Sequence, residues 1–355
     1  MMKIFNPVGR DNNLNAVRYF LCTGILLHHF GYLTDIATPD LFKYYGSIGS
    51  FFAISGFLMF SAYEKTGTNL NKYFKRRIYK IFTPYITCVL IFALLLASIS
   101  ELSFADYFFS KDFHKYLISN LTFCNFICPD LPGVFTESTN LHNSVNGALW
   151  TMKVQFGCYA LVPAVYALLK KYPQKIGTII FSLILFFYTS YIIFTILEGH
   201  YRYNIYFQLC RQTRLCTFFF IGAWLNLNLK TILRYKWIII CFTIAGIVIA
   251  REIHEYYLHI FPDACATILL CMIGNWGHFL STHKCQSYLI YLTHYPIIQI
   301  MIYAGALTTV GPEMTQVLVC VISVISAFTI SKLTTLLHKP HTKQVEMGSM
   351  QKDFS

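Results

Sequence analysis

Two side chains in the first apolar stretch are of types that do chemistry, and both are costly to place in lipid. Arg18 and His29 are 11 residues apart, which in a helix is a rise of about 16 Å and a rotation of about 20°. They therefore share one stripe, which His28 does not. A neutral imidazole accepts a hydroxyl proton near neutral pH, and a cation below it would hold an anionic reactant. Alternatively, Arg18 reaches the inner headgroups and His29 caps the outer end.

A basic cluster at residues 75–80 follows the second apolar stretch. Arginine suits forked contacts to phosphate oxygens, so Arg76, Arg77 and Lys80 predict a phosphate-binding patch beneath the helices. The alternative interpretation is a topology anchor, a role that basic residues at a membrane surface fill by themselves.

The second apolar stretch contains a run of small residues between Gly46 and Leu58, including Ser55. Small side chains let helices approach closely, and close packing explains the run adequately. The same run would also suit the wall of a narrow passage for an acyl group.

Three later stretches carry polar side chains. Trp150, Gln155 and Tyr159 follow one another in the fourth stretch, and Gln155 is expected at a depth similar to that of His29. His294 lies in the middle of the ninth stretch, where a hydrogen bond to a neighbouring helix is the common explanation for a histidine. Arg214 opens the sixth stretch and is interpreted as a structural cation or a supporting residue.

The composition identifies the environment of these residues. Of 355 residues, 55% are apolar and 12% are charged, against roughly a quarter charged in soluble domains. The mean hydropathy is +0.51. These values are poorly compatible with a disordered chain or with nucleic-acid binding by an exposed basic domain. They predict an all-α polytopic membrane protein in which most cysteines pack in apolar surroundings.

Ten segments are apolar enough over about 20 residues to predict spans. They are 15–34, 44–63, 81–100, 147–169, 177–197, 209–228, 237–251, 262–280, 286–305 and 314–337. With both termini in the cytoplasm, inner segments carry 18 Lys and Arg and outer segments carry five. This bias satisfies the positive-inside rule. The prediction is therefore one ten-span domain over residues 1–337, in the cell (inner) membrane.

Two regions lie outside the spans. The long outer loop 101–146 contains Cys124 and Cys128, which would form a disulfide in an oxidising compartment. A metal site formed by these cysteines with His114 and His142 is a less favoured alternative, because metal-binding cysteine pairs prefer tighter spacings. The tail 338–355 is short and polar, and it is expected in the cytoplasm.

Together these segments resemble the membrane acyltransferase-3 family, whose bacterial members add acyl groups to surface glycans. The first span is similar to the family's Arg, ten residues, His signature. The other matching positions are Ser55–Leu58, Arg76, Arg77, Lys80, Ile81, Pro84, Tyr85, Trp150, Tyr159, Pro163, Arg214, Phe219, Gly222, Ser287, Tyr288 and His294–Pro296. The chain departs from the pattern at three positions: Lys80 replaces a usual Arg, Gln155 replaces an acidic residue, and Gly49 replaces an Asp.

The resemblance implies transfer of an acyl group from cytoplasmic acyl-CoA to a hydroxyl of a surface or lipid-linked saccharide. Acetyl is the acyl group expected before any other. The expected roles are donor binding by Arg18, Arg76, Arg77 and Lys80, catalysis by His29 and Gln155, and support by Ser55, Trp150, Tyr159, Arg214 and His294. No metal or bound cofactor is expected, and acyl-CoA is a co-substrate. The alternatives are a transporter or flippase for lipid-linked sugars, and an inactive scaffold of the same fold.

Overall fold

Helices account for nearly all the regular structure in the computed structural model, which describes residues 4–9, 12–37, 47–136, 144–253, 257–281 and 284–337. One isolated bridge, between Asp130 and Ser144, is the strand-like pairing found there. The helices are α1 (Leu14–Thr34), α2 (Ser47–Glu64), α3 (Leu70–Arg77), α4 (Thr83–Leu95), α5 (Phe104–Phe109), α6 (Lys111–Leu121), α7 (Trp150–Lys171), α8 (Ile176–Tyr201), α9 (Asn204–Leu227), α10 (Leu229–Arg234), α11 (Lys236–Ile253), α12 (Ile260–Met272), α13 (His278–Ser281), α14 (Ser287–Tyr303), α15 (Ala306–Thr309) and α16 (Pro312–Leu337).

The predicted all-α class is confirmed for the described residues, and each of the ten predicted spans contains a helix. Four helical stretches are long and apolar enough to cross a membrane by length and composition: Leu70–Ile99, Gly147–Lys171, Pro173–Tyr201 and Pro312–Leu336. The stretches Ile48–Glu64 and Ile260–Met272 are apolar but shorter. The count of ten spans and the cytoplasmic position of both termini stay predictions.

The apolar core forms two clusters of buried side chains. One joins α2, α7, α9 and α12, and the other joins the second half of α1 with α4 and α14. Helix α7 is the most central of the four candidate spans, with 56% of its most apolar window buried, whereas only 11% is buried in the window of α8. Thr151 and Gln155 of α7 are buried in the protein, and α8 presents most of its surface outward.

Helices α2 and α9 cross where each contributes a glycine. A Cβ on Gly56 would overlap the carbonyl oxygen of Phe219, and a Cβ on Gly222 would overlap that of Ala53. Such contact between backbones is what small residues permit in helix pairs within membranes. The small-residue run thus packs at Gly56, as expected, while its neighbour Ser55 lines a cavity.

We expect the Gly222→Ala substitution to destabilise the fold by about 1–3 kcal/mol, because the added methyl has to push two backbones apart. The measurement is the thermal unfolding midpoint in detergent. Gly177→Ala on the exposed side of α8 is the matched control, since its Cβ meets no atom within 4 Å. Equal midpoints for the two variants would contradict the close crossing.

The segment at residues 4–9 is tied to the ends of α2 and α9. The Glu64 carboxylate accepts the backbone N–H groups of Ile4 and Phe5. The fully buried Asn226 exchanges hydrogen bonds with both the backbone and the side chain of Asn6. These bonds place the following residues, Val8 and Gly9, against the cavity that Ser55 lines.

The described part of the long loop 101–146 is partly helical. It contains the short helices α5 and α6, held by the buried Tyr107, whose hydroxyl donates to the carbonyl of Ala93 at 2.7 Å. Cys124 and Cys128 are both free thiols in the structure. His142 of the alternative metal site and the tail 338–355 lie outside the described residues.

Candidate active site

A cavity of about 790 Å³ opens among α1, α2, α7 and α14 and is lined from both apolar clusters. Six of the predicted site residues line it: Arg18, Ser55, Arg77, Lys80, Gln155 and Tyr159. They come from positions 18 to 159, so the fold joins side chains that the sequence separates. The other predicted site residues, Arg76, His29, Trp150, Arg214 and His294, do not line it.

Five cations converge on this cavity. They are Arg18, Lys65, Arg77, Lys80 and Lys284, and no Asp or Glu lies among the described residues of the wall. Lys80 is near enough to Arg18, Arg77 and Lys284 to be repelled by all three. A group of like charges without a carboxylate is electrostatically unfavourable when empty, and it favours a polyanionic ligand. Lys65 and Lys284 were counted only as basic residues of the predicted inner segments, and not as site residues.

The basic cluster divides between two faces of its helix. Arg77 lies over the ring of Tyr73 and donates from Nη1 to the Met59 sulfur at 3.2 Å, while its Nε has no hydrogen-bond partner among the described residues. Arg76, the preceding residue, is exposed and does not reach the wall. A π-helical turn at Ile78–Phe82 follows, and Pro84 lies two residues after its end. Such turns are frequent at functional sites.

Uncharged polar groups also line the cavity. The Tyr159 hydroxyl donates to Ser55 Oγ at 3.4 Å. The side chain of Gln155 is 8% exposed, and its Nε2 has no partner among the described residues. Gln155 thus lines the same cavity as the cations. A buried amide without a partner costs about 1–3 kcal/mol until a ligand satisfies it.

Tyr291 is another residue of the cavity wall. Its hydroxyl donates to the Ala148 carbonyl at 2.6 Å and lies 2.7 Å from Thr151 Oγ1. Its ring packs against the imidazole of His294, with 5.7 Å between centroids. One aromatic ring therefore separates the cavity from a pair of histidines, and Tyr291 is a residue that the motif analysis passed over.

His29 and His294 are hydrogen-bonded to each other. His29 Nδ1 lies 2.8 Å from His294 Nε2, although the residues are 265 positions apart. Tyr295 meets the His29 ring edge-on at 5.4 Å between centroids. His294 is 1% exposed, and His29 is half-buried. The expected bond between His294 and a neighbouring helix is therefore present, and its partner is the candidate base.

Helix α14 holds His294 in place through contacts to the segment before α7. Pro296 lacks an N–H group, so the carbonyl of Leu292 has no partner within the helix. The side chain of Asn146 donates to that carbonyl at 2.8 Å. Gln299 donates to the carbonyl of Ser144 at 3.1 Å. The two bonds tie α14 to the start of α7 on either side of the histidine.

Two predicted residues lie beside the site on α9 and α7. Trp150 is covered by the guanidinium of Arg211, 3.7 Å from the ring centroid. The charge of Arg211 also reaches His29. Arg214, one turn further along α9, has a buried Nε without a partner among the described residues. Arg211 was not among the predicted site residues, although the cost of a cation within a span applies to it equally.

Comparison with known proteins identifies the family of the chain. The chain is similar to a protein named O-acetyl transferase from Shigella phage Sf6, with 25% identity over 165 residues. That stretch is 45% of this chain and 47% of the relative, so the match spans about half the length of each. No solved structure matches the chain. The family model described as an acyltransferase domain matches residues 11–332, and the chain therefore belongs to the acyltransferase-3 family, as its motifs predicted.

Proposed function

We propose that this protein is an integral-membrane O-acyltransferase. It moves an acyl group from acyl-CoA to a hydroxyl of a surface or lipid-linked saccharide, and acetyl is the first candidate for that group. The observation that carries the proposal is the cavity with five cations and no carboxylate among its described lining residues, which ends one ring away from a histidine pair. The name of the phage relative supports acetyl as the acyl group.

The cavity suits the donor. Its volume of about 790 Å³ is within the usual range for small-molecule sites, about 300–1,000 Å³. Arg18, Arg77 and Lys80, joined by Lys65 and Lys284, hold the phosphates of acyl-CoA through charge-assisted hydrogen bonds. The thioester arm then extends past Gln155 towards Tyr291 and the histidine pair on the other side of its ring.

The reaction needs one base and no redox chemistry. His29 takes the proton of the acceptor hydroxyl while that oxygen attacks the thioester carbonyl carbon, and a new C–O bond forms. The C–S bond then breaks, and the CoA thiolate receives the proton from His29. The products are the acylated saccharide and free CoA. The half-buried position of His29 leaves part of its surface for an acceptor that enters from outside the cavity.

The membrane arrangement belongs to the same proposal. Ten spans with both termini in the cytoplasm of the inner membrane place the cations on the side where acyl-CoA is made, and the histidine pair towards the other side. The distribution of Lys and Arg supports it.

Membrane vesicles given acetyl-CoA labelled in the acetyl group test the function. We expect covalent label on saccharide, dependent on the protein and released by mild base as acetate. Movement of saccharide across the vesicle membrane without label would identify the transporter alternative. Absence of both activities in correctly inserted protein would support the inactive scaffold.

A further inference from the structure

We propose that His294 is a positioning residue that keeps the proton of neutral His29 on Nδ1 and so leaves Nε2 free as the proton acceptor. This inference rests on the proposed function, which makes His29 the base. It goes further by naming the reacting nitrogen and the residue that selects it. The geometry that carries it is a chain of two hydrogen bonds that ends on the backbone carbonyl of Ile290.

The chain has one consistent direction. His294 Nδ1 lies 3.2 Å from the carbonyl oxygen of Ile290, and a carbonyl can only accept, so Nδ1 of His294 carries a proton. In a neutral imidazole the other nitrogen is then an acceptor. His294 Nε2 therefore accepts from Nδ1 of His29 across 2.8 Å, and the lone pair of His29 is left on Nε2.

The other groups around the pair do not compete for this role. The His29 ring meets Tyr295 edge-on and the ring of His28 at 5.8 Å between centroids. Tyr291 contacts His294, and the charge of Arg211 reaches His29. Among the described residues, no carboxylate is hydrogen-bonded to either imidazole. His294 thus occupies the place that a carboxylate fills in a catalytic triad, as the group that orients the base.

The arrangement also accounts for the proton that His29 takes from the acceptor hydroxyl during acyl transfer. When His29 Nε2 takes the acceptor proton, the imidazolium keeps its Nδ1–H bond to neutral His294, and this bond becomes charge-assisted. The proton on Nε2 is then available for the departing thiolate. His294 touches neither substrate, so its effect falls on turnover and not on donor binding.

Two substitutions separate positioning from packing. His294→Phe keeps an aromatic ring but cannot accept a hydrogen bond from His29. We expect its kcat per folded molecule to fall by about 10- to 100-fold, which is part of the rate contribution of a general base. Its KM for acetyl-CoA stays within about twofold, since the phosphates are held elsewhere. His294→Gln can still accept through Oε1, and we expect it to recover most of the lost kcat.

Thr293→Val is the matched control on the same helix. It removes the hydroxyl of a side chain that is also buried, at 0% exposed, and that also bonds a backbone carbonyl. We expect it to change the yield of folded protein at most, and to leave kcat per folded molecule unchanged. A wild-type kcat for His294→Phe, or equal losses for the Phe and Gln variants, would overturn the proposal.

A measurement without substrate keeps the inference distinct from the proposed function. NMR of protein carrying ¹³C,¹⁵N-labelled histidine reports which nitrogen is protonated, and a His29→Gln sample assigns the signal. We expect the Nδ1–H form at His29, changing when His294 is Phe. The Nε2–H form would overturn this inference. The Nδ1–H form in a protein that transfers no acetyl group would instead overturn the proposed function.

Discussion

The His29→Ala protein is expected to transfer acetyl groups about 10²- to 10⁴-fold more slowly than wild type, the usual contribution of a general base. The loss should appear in kcat, with the KM for acetyl-CoA little changed, because His29 does not line the cavity that holds the cations. Initial rates of labelled product formation at several acetyl-CoA concentrations separate the two parameters.

His28→Ala is the control for this experiment. The residue is adjacent and exposed, and it lies about 100° round the helix, off the stripe shared by Arg18 and His29. We expect near wild-type turnover from it. If the His29→Ala protein is correctly inserted and works at the wild-type rate, His29 is not the base, and the two-histidine arrangement has no part in the chemistry.

The helix content and the Arg18–His29 stripe were predictable because both follow from local periodicity. The partner of His29 was not, since nothing local relates residues 265 positions apart. Sequence indicated that His294 bonds to a neighbouring helix, but several helices were equally possible. Only the packing of α1 against α14 selects His29.

The division between Arg76 and Arg77 shows a second limit. Both match the family motif, and consecutive residues point about 100° apart on a helix. Helical periodicity predicts that the two side chains point in different directions, but it does not predict which of them faces the cavity. Lys65 and Lys284 were missed for a related reason: a basic residue at the inner surface satisfies the positive-inside rule whether or not it also lines a site.

Gln155 illustrates a role that depends on its neighbours. The sequence predicted a depth similar to that of His29, and the family resemblance implied a part in catalysis. In the structure it lines the cavity with Arg18 and Lys80, about one helical turn from Thr151, the residue that bonds Tyr291. Under the proposed function, its unpartnered amide is available to the thioester carbonyl of the donor.

Replacing Arg77 by glutamine is expected to raise the KM for acetyl-CoA by about 10- to 100-fold while kcat at saturation stays near wild type. A hydrogen bond between a guanidinium and a phosphate is worth about 1.5–3 kcal/mol, which corresponds to that range. Arg76→Gln removes the same charge one residue earlier, from a side chain that is exposed and away from the cavity. We expect its KM to change by about twofold at most.

A donor without phosphates makes the test specific. S-acetyl-N-acetylcysteamine carries the thioester and part of the arm, but none of the anionic groups for which the five cations are proposed. Its kcat/KM should be low with the wild-type protein and equally low with Arg77→Gln, because the lost contact is one that this donor never made. If Arg77→Gln and Arg76→Gln impair acetyl-CoA equally, both arginines act as topology anchors. If Arg77→Gln impairs both donors equally, the residue supports the fold of the cavity and does not bind phosphate.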